Sequence, residues 1–157
     1  MPEAFQARLL YHVSMNALSL TELDPIRVLI ADDHDKIRSS LSIFIEVFDD
    51  LELVGAAQNG EEALELCEQL EPDVVLIDLL MPKMDGVAAT REIRLSHPTT
   101  QVIVLTSFHN EKILHKALQA GAAHYLFKNV TIDELAAAIR SAYRQTSSTL
   151  PTTTSFH

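Results

Sequence analysis

Residues 73–86 read DVVLIDLLMPKMDG, and this stretch decides the fold class of the chain. It contains four consecutive apolar residues, from Val74 to Ile77, between two aspartates. A short continuous apolar run is typical of a strand that is buried on both faces, as in a parallel sheet covered by helices. The stretch therefore predicts a central strand that ends at Asp78.

Other short apolar runs flank this strand along the chain, and a pattern of helical period follows each run. The predicted strands cover residues 26–31, 51–57, 74–77, 102–105 and 124–127. The last helix is expected to begin behind Thr131, because Thr131 and Glu134 have the spacing of a capping box. Five strands that alternate with five helices predict an α/β fold, with a doubly wound parallel sheet and helices on both of its faces.

The composition and charge of the chain restrict its function. The chain has 157 residues, of which 47% are hydrophobic and 22% are charged, as expected for one globular domain. Its formal net charge of −10 argues against a nucleic-acid binder, because such proteins need a basic surface. The single cysteine, Cys67, excludes an intramolecular disulfide. No apolar run reaches the roughly 18 residues of a membrane helix and no signal peptide is recognisable, so we expect a cytoplasmic protein without a membrane partner.

The two ends of the chain differ from its middle. Residues 1–25 lack clear periodicity and end at Asp24-Pro25, a boundary signal, so they are interpreted as an N-terminal extension. Residues 145–157 contain eight Ser or Thr residues and no Asp, Glu, Lys or Arg, which is typical of a tail or linker. The folded domain is therefore predicted to span residues 26–144.

Polar residues follow the ends of four predicted strands. Asp32 and Asp33 follow the first strand, Asp78 ends the third, Thr106 follows the fourth and Lys128 follows the fifth. In open α/β sheets the functional crevice lies at the carboxyl ends of the strands, so we expect these side chains to converge.

The converging groups have the chemistry of phosphoryl transfer. Clustered carboxylates repel one another unless a cation intervenes, and Mg²⁺ binds carboxylates together with water and phosphate oxygens. A metal, an ammonium and a hydroxyl can neutralise and position a phosphoryl group, and an aspartate can act as the nucleophile. Asp78, at the end of the central strand, is the predicted nucleophile. The histidines show no zinc-ligand spacing, so each is interpreted as a surface or capping residue. For His34, beside the acidic pair, a role in tuning the site is the alternative.

Four ordered stretches now resemble a response-regulator receiver domain with the CheY-like, flavodoxin-like fold. These stretches are VLIADDH (28–34), DVVLIDLLMPKMDG (73–86), VIVLTS (102–107) and HYLFK (124–128). The resemblance covers about residues 26–144 and implies the strand order 2-1-3-4-5. The DDH sequence and the Ser/Thr-rich tail are most similar to receivers of NarL/LuxR-type transcription regulators.

The resemblance implies a role for each acid. Asp78 would accept a phosphoryl group from a phosphohistidine on a sensor histidine kinase. Asp33 would bind Mg²⁺ directly, and Asp32 would act through water. Asp78 and the backbone carbonyl of Leu80 would complete the protein ligands.

The resemblance also implies a switch. Lys128 would pair with the phosphoryl oxygens, Thr106 would hydrogen-bond to them, and Tyr125 would swing inward when Thr106 moves. The surface of the fourth helix, fifth strand and fifth helix would then control homodimerisation or an output domain. Candidate ion-pairing residues on this surface are Glu111, Lys112, Lys116, Asp133 and Arg140.

Two departures from the commonest family pattern are visible. Lys128 is followed by Asn129 rather than by the frequent proline. Two positions after Asp78 and after Thr106 stand the apolar residues Leu80 and Phe108, where polar residues could orient an attacking water. We therefore expect slow self-dephosphorylation.

Three functions remain open from the sequence. The first is a signalling receiver, which is not an enzyme beyond its own phosphotransfer and dephosphorylation, with transcriptional output and DNA contact through a domain absent from this chain. The second is a stand-alone receiver that acts by protein contact. The third is a Mg²⁺-dependent phosphatase, which would require a second acid two residues after its nucleophile, where this chain has Leu80.

Overall fold

The elements of the fold alternate regularly along the chain. The computed structural model describes residues 24–107 and 109–149. Most of the predicted N-terminal extension, Phe108 and the last residues of the predicted tail therefore lie outside the described residues. The described elements are β1 (Ile26–Ala31), α1 (Asp35–Glu46), β2 (Leu51–Ala57), α2 (Gly60–Leu70), β3 (Val74–Asp78), α3 (Gly86–Ser96), β4 (Gln101–Thr106), α4 (Glu111–Gln119), β5 (His124–Phe127) and α5 (Ile132–Thr149).

The strands form one parallel sheet in the order β2-β1-β3-β4-β5. Both the α/β class and the strand order expected from the family resemblance are thereby confirmed. β3 is the middle strand, as its continuous apolar run predicted. In the register of the sheet, Asp78 lies opposite Leu105, and Thr106 lies opposite Phe127.

The core consists of two apolar layers, one on each face of the sheet. Successive side chains of a strand point to opposite faces, so Val75 and Ile77 enter one layer while Val74 and Leu76 enter the other. Helices α2, α3 and α4 cover the first layer, and α1 and α5 cover the second. Because both faces are covered, β3 is buried along its whole length.

Polar side chains cap the starts of several helices. Asn59, Asp85 and Asn110 accept backbone hydrogen bonds at the first turns of α2, α3 and α4. Thr131 Oγ1 accepts a hydrogen bond from the backbone N–H of Glu134 at 3.1 Å, so the predicted cap of α5 is present. These caps satisfy N–H groups that have no partner within the helix.

The last helix continues beyond residue 144, where the sequence suggested the start of a tail. α5 ends at Thr149, and the side-chain amide of Gln101 donates a hydrogen bond to Thr146 Oγ1 at 2.7 Å. The chain contains no Gly or Pro between residues 144 and 149 that would end the helix. Tertiary contact therefore outweighs the weak helical propensity of the Ser/Thr-rich segment. Within the described residues, no helix is both long and apolar enough to cross a membrane.

Candidate functional site

The carboxyl edge of the sheet gathers the polar residues that follow its strands. Asp32 follows β1, Asp78 ends β3, Thr106 ends β4 and Lys128 follows β5. Asp32, Asp78 and Thr106 are only 1%, 6% and 0% exposed to solvent. Parallel pairing puts these strand ends beside one another, so residues far apart in sequence come together at this edge.

Lys128 bridges the two buried carboxylates. Its Nζ lies 2.8 Å from Asp32 Oδ2 and 3.4 Å from Asp78 Oδ1. Its backbone N–H donates a hydrogen bond to the carbonyl of Thr106 at 3.0 Å, which ties the end of β5 to the end of β4. The ammonium is therefore held at the position where it contacts both acids.

His34 contacts both members of the acidic pair. Its backbone N–H donates to Asp32 Oδ1 at 2.9 Å. Its Nδ1 lies 2.9 Å from Asp32 Oδ1 and 3.2 Å from Asp33 Oδ1. Although His34 is the N-cap residue of α1, its side chain makes no capping hydrogen bond. Of the surface and capping interpretations from the sequence, the surface position is confirmed by the exposed side chain, and side-chain capping is not, because the ring contacts the acids instead.

The two buried acids have opposite pKa shifts. Burial alone would raise the pKa of Asp32, but hydrogen bonds from Lys128 and His34 hold that pKa below its ordinary value of 3.8. Burial raises the pKa of Asp78 above 3.8, and the charge of Asp32 adds to this effect, although Lys128 partly offsets it. The negative charge of Asp78 is therefore the less well compensated of the two.

The acidic cluster fits a divalent cation. Potential ligand atoms of Asp32, Asp33, His34 and Asp78 all lie within 4.8 Å of one another. Carboxylate oxygens are the donors that Mg²⁺ prefers, and a cation among them would relieve their mutual repulsion. The backbone of Leu80 counteracts part of the rise in the pKa of Asp78. The metal-binding role expected for the Leu80 carbonyl stays a prediction.

Gly86 allows the loop after β3 to close against the strand. A Cβ at this position would lie 2.2 Å from the carbonyl oxygen of Asp78 and 2.7 Å from Leu79 Cα. The backbone N–H of Gly86 donates to the carbonyl of Leu79 at 2.8 Å. The glycine in the PKMDG sequence thus permits a close backbone approach that positions Asp78.

The predicted switch residues lie at the fourth and fifth strands. Thr106 is buried at the end of β4. Tyr125 is 40% exposed, and its ring packs edge-on against Phe127 with centroids 6.0 Å apart. The ring of His109 stacks on the same Phe127, with centroids 4.0 Å apart. The switching roles of Thr106 and Tyr125 stay predictions.

Arg140 does not serve the surface for which the sequence suggested it. Its Nε donates to Asp50 Oδ2 at 2.7 Å, and its second guanidinium nitrogen donates to Asp50 Oδ1 at 2.8 Å. The guanidinium also lies over the ring of Phe48, 5.2 Å from the centroid. Arg140 therefore connects α5 with the turn between α1 and β2.

Comparisons with known proteins agree with this arrangement. LiaR of Bacillus subtilis, a transcriptional regulatory protein, is 43% identical over 117 residues, which cover 74% of this chain and 56% of LiaR. The response regulator protein VraR of Staphylococcus saprophyticus is 37% identical over 123 residues, which cover 78% of this chain and 59% of VraR. Among solved structures, the signal receiver domain of the response regulator NarL from Mycobacterium tuberculosis has a TM-score of 0.75 and 32% identity. That match covers 77% of this chain and 98% of the NarL domain.

The matched region covers most of the described residues. This chain spans a little more than half the length of LiaR and VraR. The family described as "Response regulator receiver domain" matches residues 28–140, from β1 into α5. A match over this much of the chain, together with the sheet order and the acidic edge, shows that the protein belongs to the response regulator receiver domain family of two-component systems.

Proposed function

We propose that Asp78 accepts a phosphoryl group from a phosphohistidine of a sensor histidine kinase. We further propose that this modification switches the surface formed by α4, β5 and α5 between two arrangements. One observation carries the proposal. The buried Asp78 carboxylate lies 3.4 Å from Lys128 Nζ and close to the acidic pair Asp32 and Asp33, at the carboxyl edge of a receiver sheet. The raised pKa of Asp78 supports this assignment, because perturbed pKa values are common among the reactive groups of functional sites.

Asp32, Asp33 and Asp78, with the carbonyl of Leu80, would hold Mg²⁺. The bound cation would supply positive charge that neutralises the oxygens of the incoming phosphoryl group. The number of clustered carboxylates supports this assignment, because Lys128 already pairs with Asp32 and only partly offsets the charge of Asp78.

The transfer step makes one bond and breaks another. A carboxylate oxygen of Asp78 forms a bond to phosphorus while the phosphorus–nitrogen bond of the phosphohistidine breaks. The electron pair of the broken bond goes to the imidazole nitrogen, which regains a proton from solvent. Lys128 pairs with a phosphoryl oxygen, and the hydroxyl of Thr106 donates a hydrogen bond to another.

The added charge then changes a surface. A phosphoryl group adds about −1.5 to −2 charge, and such a local event can bias an element that has two arrangements. Thr106 and Lys128 lead directly into α4 and α5, so their movement would reach the surface of α4, β5 and α5. Charged residues exposed on this surface, Glu111, Lys112, Lys116 and Asp133, could pair with a second copy or with an output domain. The similarity to LiaR, a transcriptional regulatory protein, supports a transcriptional output, with DNA contact through a further domain.

Phosphorylation with acetyl phosphate and Mg²⁺ tests the proposal. We expect the wild type to gain one phosphoryl group, measured by intact-protein mass spectrometry, and Asp78→Asn to gain none. Asp35→Asn is the matched control, because Asp35 is an exposed acid that begins α1, directly after His34, and pairs with Arg38. Equal labelling of the wild type and Asp78→Asn would overturn the proposal. Turnover of many equivalents of acetyl phosphate would instead favour the phosphatase.

The phosphorylated form is expected to persist. Leu80 is an exposed apolar side chain two residues after Asp78, and it cannot orient a water molecule for attack on the phosphoryl group. We expect the phosphorylated protein to decay over minutes or longer, followed by mass spectrometry after removal of acetyl phosphate. A polar substitution, Leu80→Gln, should accelerate the decay. A lifetime of seconds in the wild type would contradict this expectation.

A further inference from the structure

His34 occupies a position that helix capping does not explain. N-caps favour Ser, Thr, Asp or Asn, whose short side chains accept hydrogen bonds from the first turn of the helix. His34 stands at the N-cap of α1 without such a bond, and its ring turns toward the acids instead. Its side chain is also largely exposed, so burial in the core does not account for this orientation.

The distances around Nδ1 match those between neighbouring ligands of one metal ion. Octahedral ligands at about 2.1 Å from a cation lie about 3 Å from one another along each edge. His34 Nδ1 lies 2.9 Å from Asp32 Oδ1 and 3.2 Å from Asp33 Oδ1. Ligand atoms of these three residues and of Asp78 fall within 4.8 Å of one another. The imidazole nitrogen therefore lies close enough to both carboxylates to share one cation with them.

We infer that His34 is a metal ligand through Nδ1, so that the site combines an imidazole nitrogen with carboxylate oxygens. The inference rests on the proposed function, because it assumes the cation site of Asp32, Asp33 and Asp78. In the structure the imidazole makes a hydrogen bond to Asp32 through Nδ1. A bound cation would replace that hydrogen bond, so that Nδ1 loses its proton to solvent and the ring keeps its proton on Nε2, where it can donate to water.

The mixed ligand set has a consequence for metal choice. Carboxylates alone suit Mg²⁺, whereas imidazole favours later first-row metals such as Co²⁺. We therefore expect the site to prefer Co²⁺ to Mg²⁺ more strongly than a carboxylate-only site does. Replacing His34 should lower the Co²⁺ affinity by about tenfold or more, while the Mg²⁺ affinity changes less.

Pulsed electron paramagnetic resonance of bound Mn²⁺ tests the inference directly. A directly bound imidazole produces a ¹⁴N modulation of the Mn²⁺ echo, a signal that does not depend on phosphorylation. We would compare the wild type, His34→Gln and the matched control His109→Gln, a histidine that stacks on Phe127 near Lys128. Competition of Co²⁺ and Mg²⁺ against Mn²⁺ would give the two affinities for each protein, and circular dichroism would verify folding.

The outcomes separate this inference from the proposed function. We expect the ¹⁴N modulation in the wild type and in His109→Gln, and its loss in His34→Gln. If Asp33→Asn abolishes Mn²⁺ binding but the wild type shows no ¹⁴N modulation, the ligand role of His34 is overturned and the cation site stands. If Asp33→Asn binds Mn²⁺ as tightly as the wild type does, both the inference and the proposed cation site are overturned.

Discussion

The polar groups at the two edges of the sheet have different partners. The amino edge is the one where the strands begin, and the carboxyl edge is the one where they end. At the amino edge, several polar side chains pair with backbone carbonyls or with neutral groups. Arg27 donates to the carbonyl of Leu70 at 2.6 Å, Thr100 Oγ1 donates to the carbonyl of Pro72 at 2.8 Å, and Gln101 donates to Thr146. At the carboxyl edge, Asp32 and Asp78 are buried against each other around Lys128.

The difference separates structural polar groups from functional ones. A buried polar group that is satisfied by the backbone stabilises the fold and has no capacity left for a ligand. A carboxylate such as that of Asp78, whose pKa is raised by burial and by a neighbouring acid, costs stability until a cation or a reaction uses its charge. The hydrogen bonds at the amino edge therefore stabilise the fold. The buried charges at the carboxyl edge lower the stability of the fold but are available for a cation or a reaction.

The largest expected effect comes from the glycines at the two edges. Gly86→Ala would place a methyl group 2.2 Å from the backbone oxygen of Asp78, and backbone atoms cannot move aside cheaply. We expect a loss of about 3 kcal/mol in the free energy of unfolding, measured with urea. The amino-edge counterpart is Gly121→Ala, where the close neighbour is the flexible Arg94 side chain and the main cost is the positive φ of 113°. This variant should lose about 1–2 kcal/mol. A smaller loss for Gly86→Ala than for Gly121→Ala would contradict the close backbone approach at the carboxyl edge.

Thr100 tests the stabilising role of the amino edge. Thr100→Val keeps the shape of the side chain but leaves the buried carbonyl of Pro72 without its donor. We expect urea unfolding to show a loss of about 1–2 kcal/mol. Thr100→Ser retains the hydroxyl and should lose less. Equal losses in the two variants would mean that the methyl group, and not the hydrogen bond, provides the stability.

At the carboxyl edge, the substitution Asp78→Asn should increase the free energy of unfolding, whereas the preceding substitutions lower it. The substitution removes a buried charge whose pKa is raised, mainly by burial and further by Asp32. In EDTA we expect a gain of about 1 kcal/mol in the free energy of unfolding. Asp32→Asn is the matched comparison and should lose stability, because Lys128 and His34 stabilise the Asp32 carboxylate. If Asp78→Asn lowered the free energy of unfolding in EDTA, the buried charge of Asp78 would not be destabilising, and this prediction would be wrong.

The sequence predicts the main features of the sheet for physical reasons. The continuous apolar run of Val74–Ile77 can only be buried on both faces, so it marked the middle strand. Alternation then placed Asp78 and Lys128 at the same edge, because parallel strands share a direction. The strand order came from the family resemblance, and the sheet confirms it.

Other features depend on contacts that a sequence pattern does not contain. The ring of His34 could turn to solvent, to the helix or to the acids, and only the positions of Asp32 and Asp33 decide among them. Arg140 pairs with an acid 90 positions away, so helical spacing could not identify its partner. The segment of α5 beyond residue 144 is held by the hydrogen bond between Gln101 and Thr146, a contact between residues 45 positions apart.

The smallest expected effect is the pH dependence of the two aspartate variants. Between 3.8 and the raised pKa of Asp78, the native state binds more protons than the unfolded state does, so this group costs stability as the pH rises. The gain from Asp78→Asn should therefore be greatest near pH 7 and disappear as the pH falls toward 3.8. Asp32 has a lowered pKa, so its stabilising charge is lost only as the pH falls below 3.8 toward that lower value. The loss caused by Asp32→Asn should therefore persist at about pH 4, where the gain from Asp78→Asn has largely gone.

Urea unfolding of the wild type and both variants in EDTA, from neutral pH to about pH 4, would measure these two dependences. If both differences from the wild type declined over the same pH range, the opposite pKa shifts of the two acids would be wrong. If the two differences declined over separate pH ranges, Lys128 and His34 would compensate the charge of Asp32 and leave the negative charge of Asp78 in excess. That excess charge is what the carboxyl edge offers to a cation and the amino edge does not.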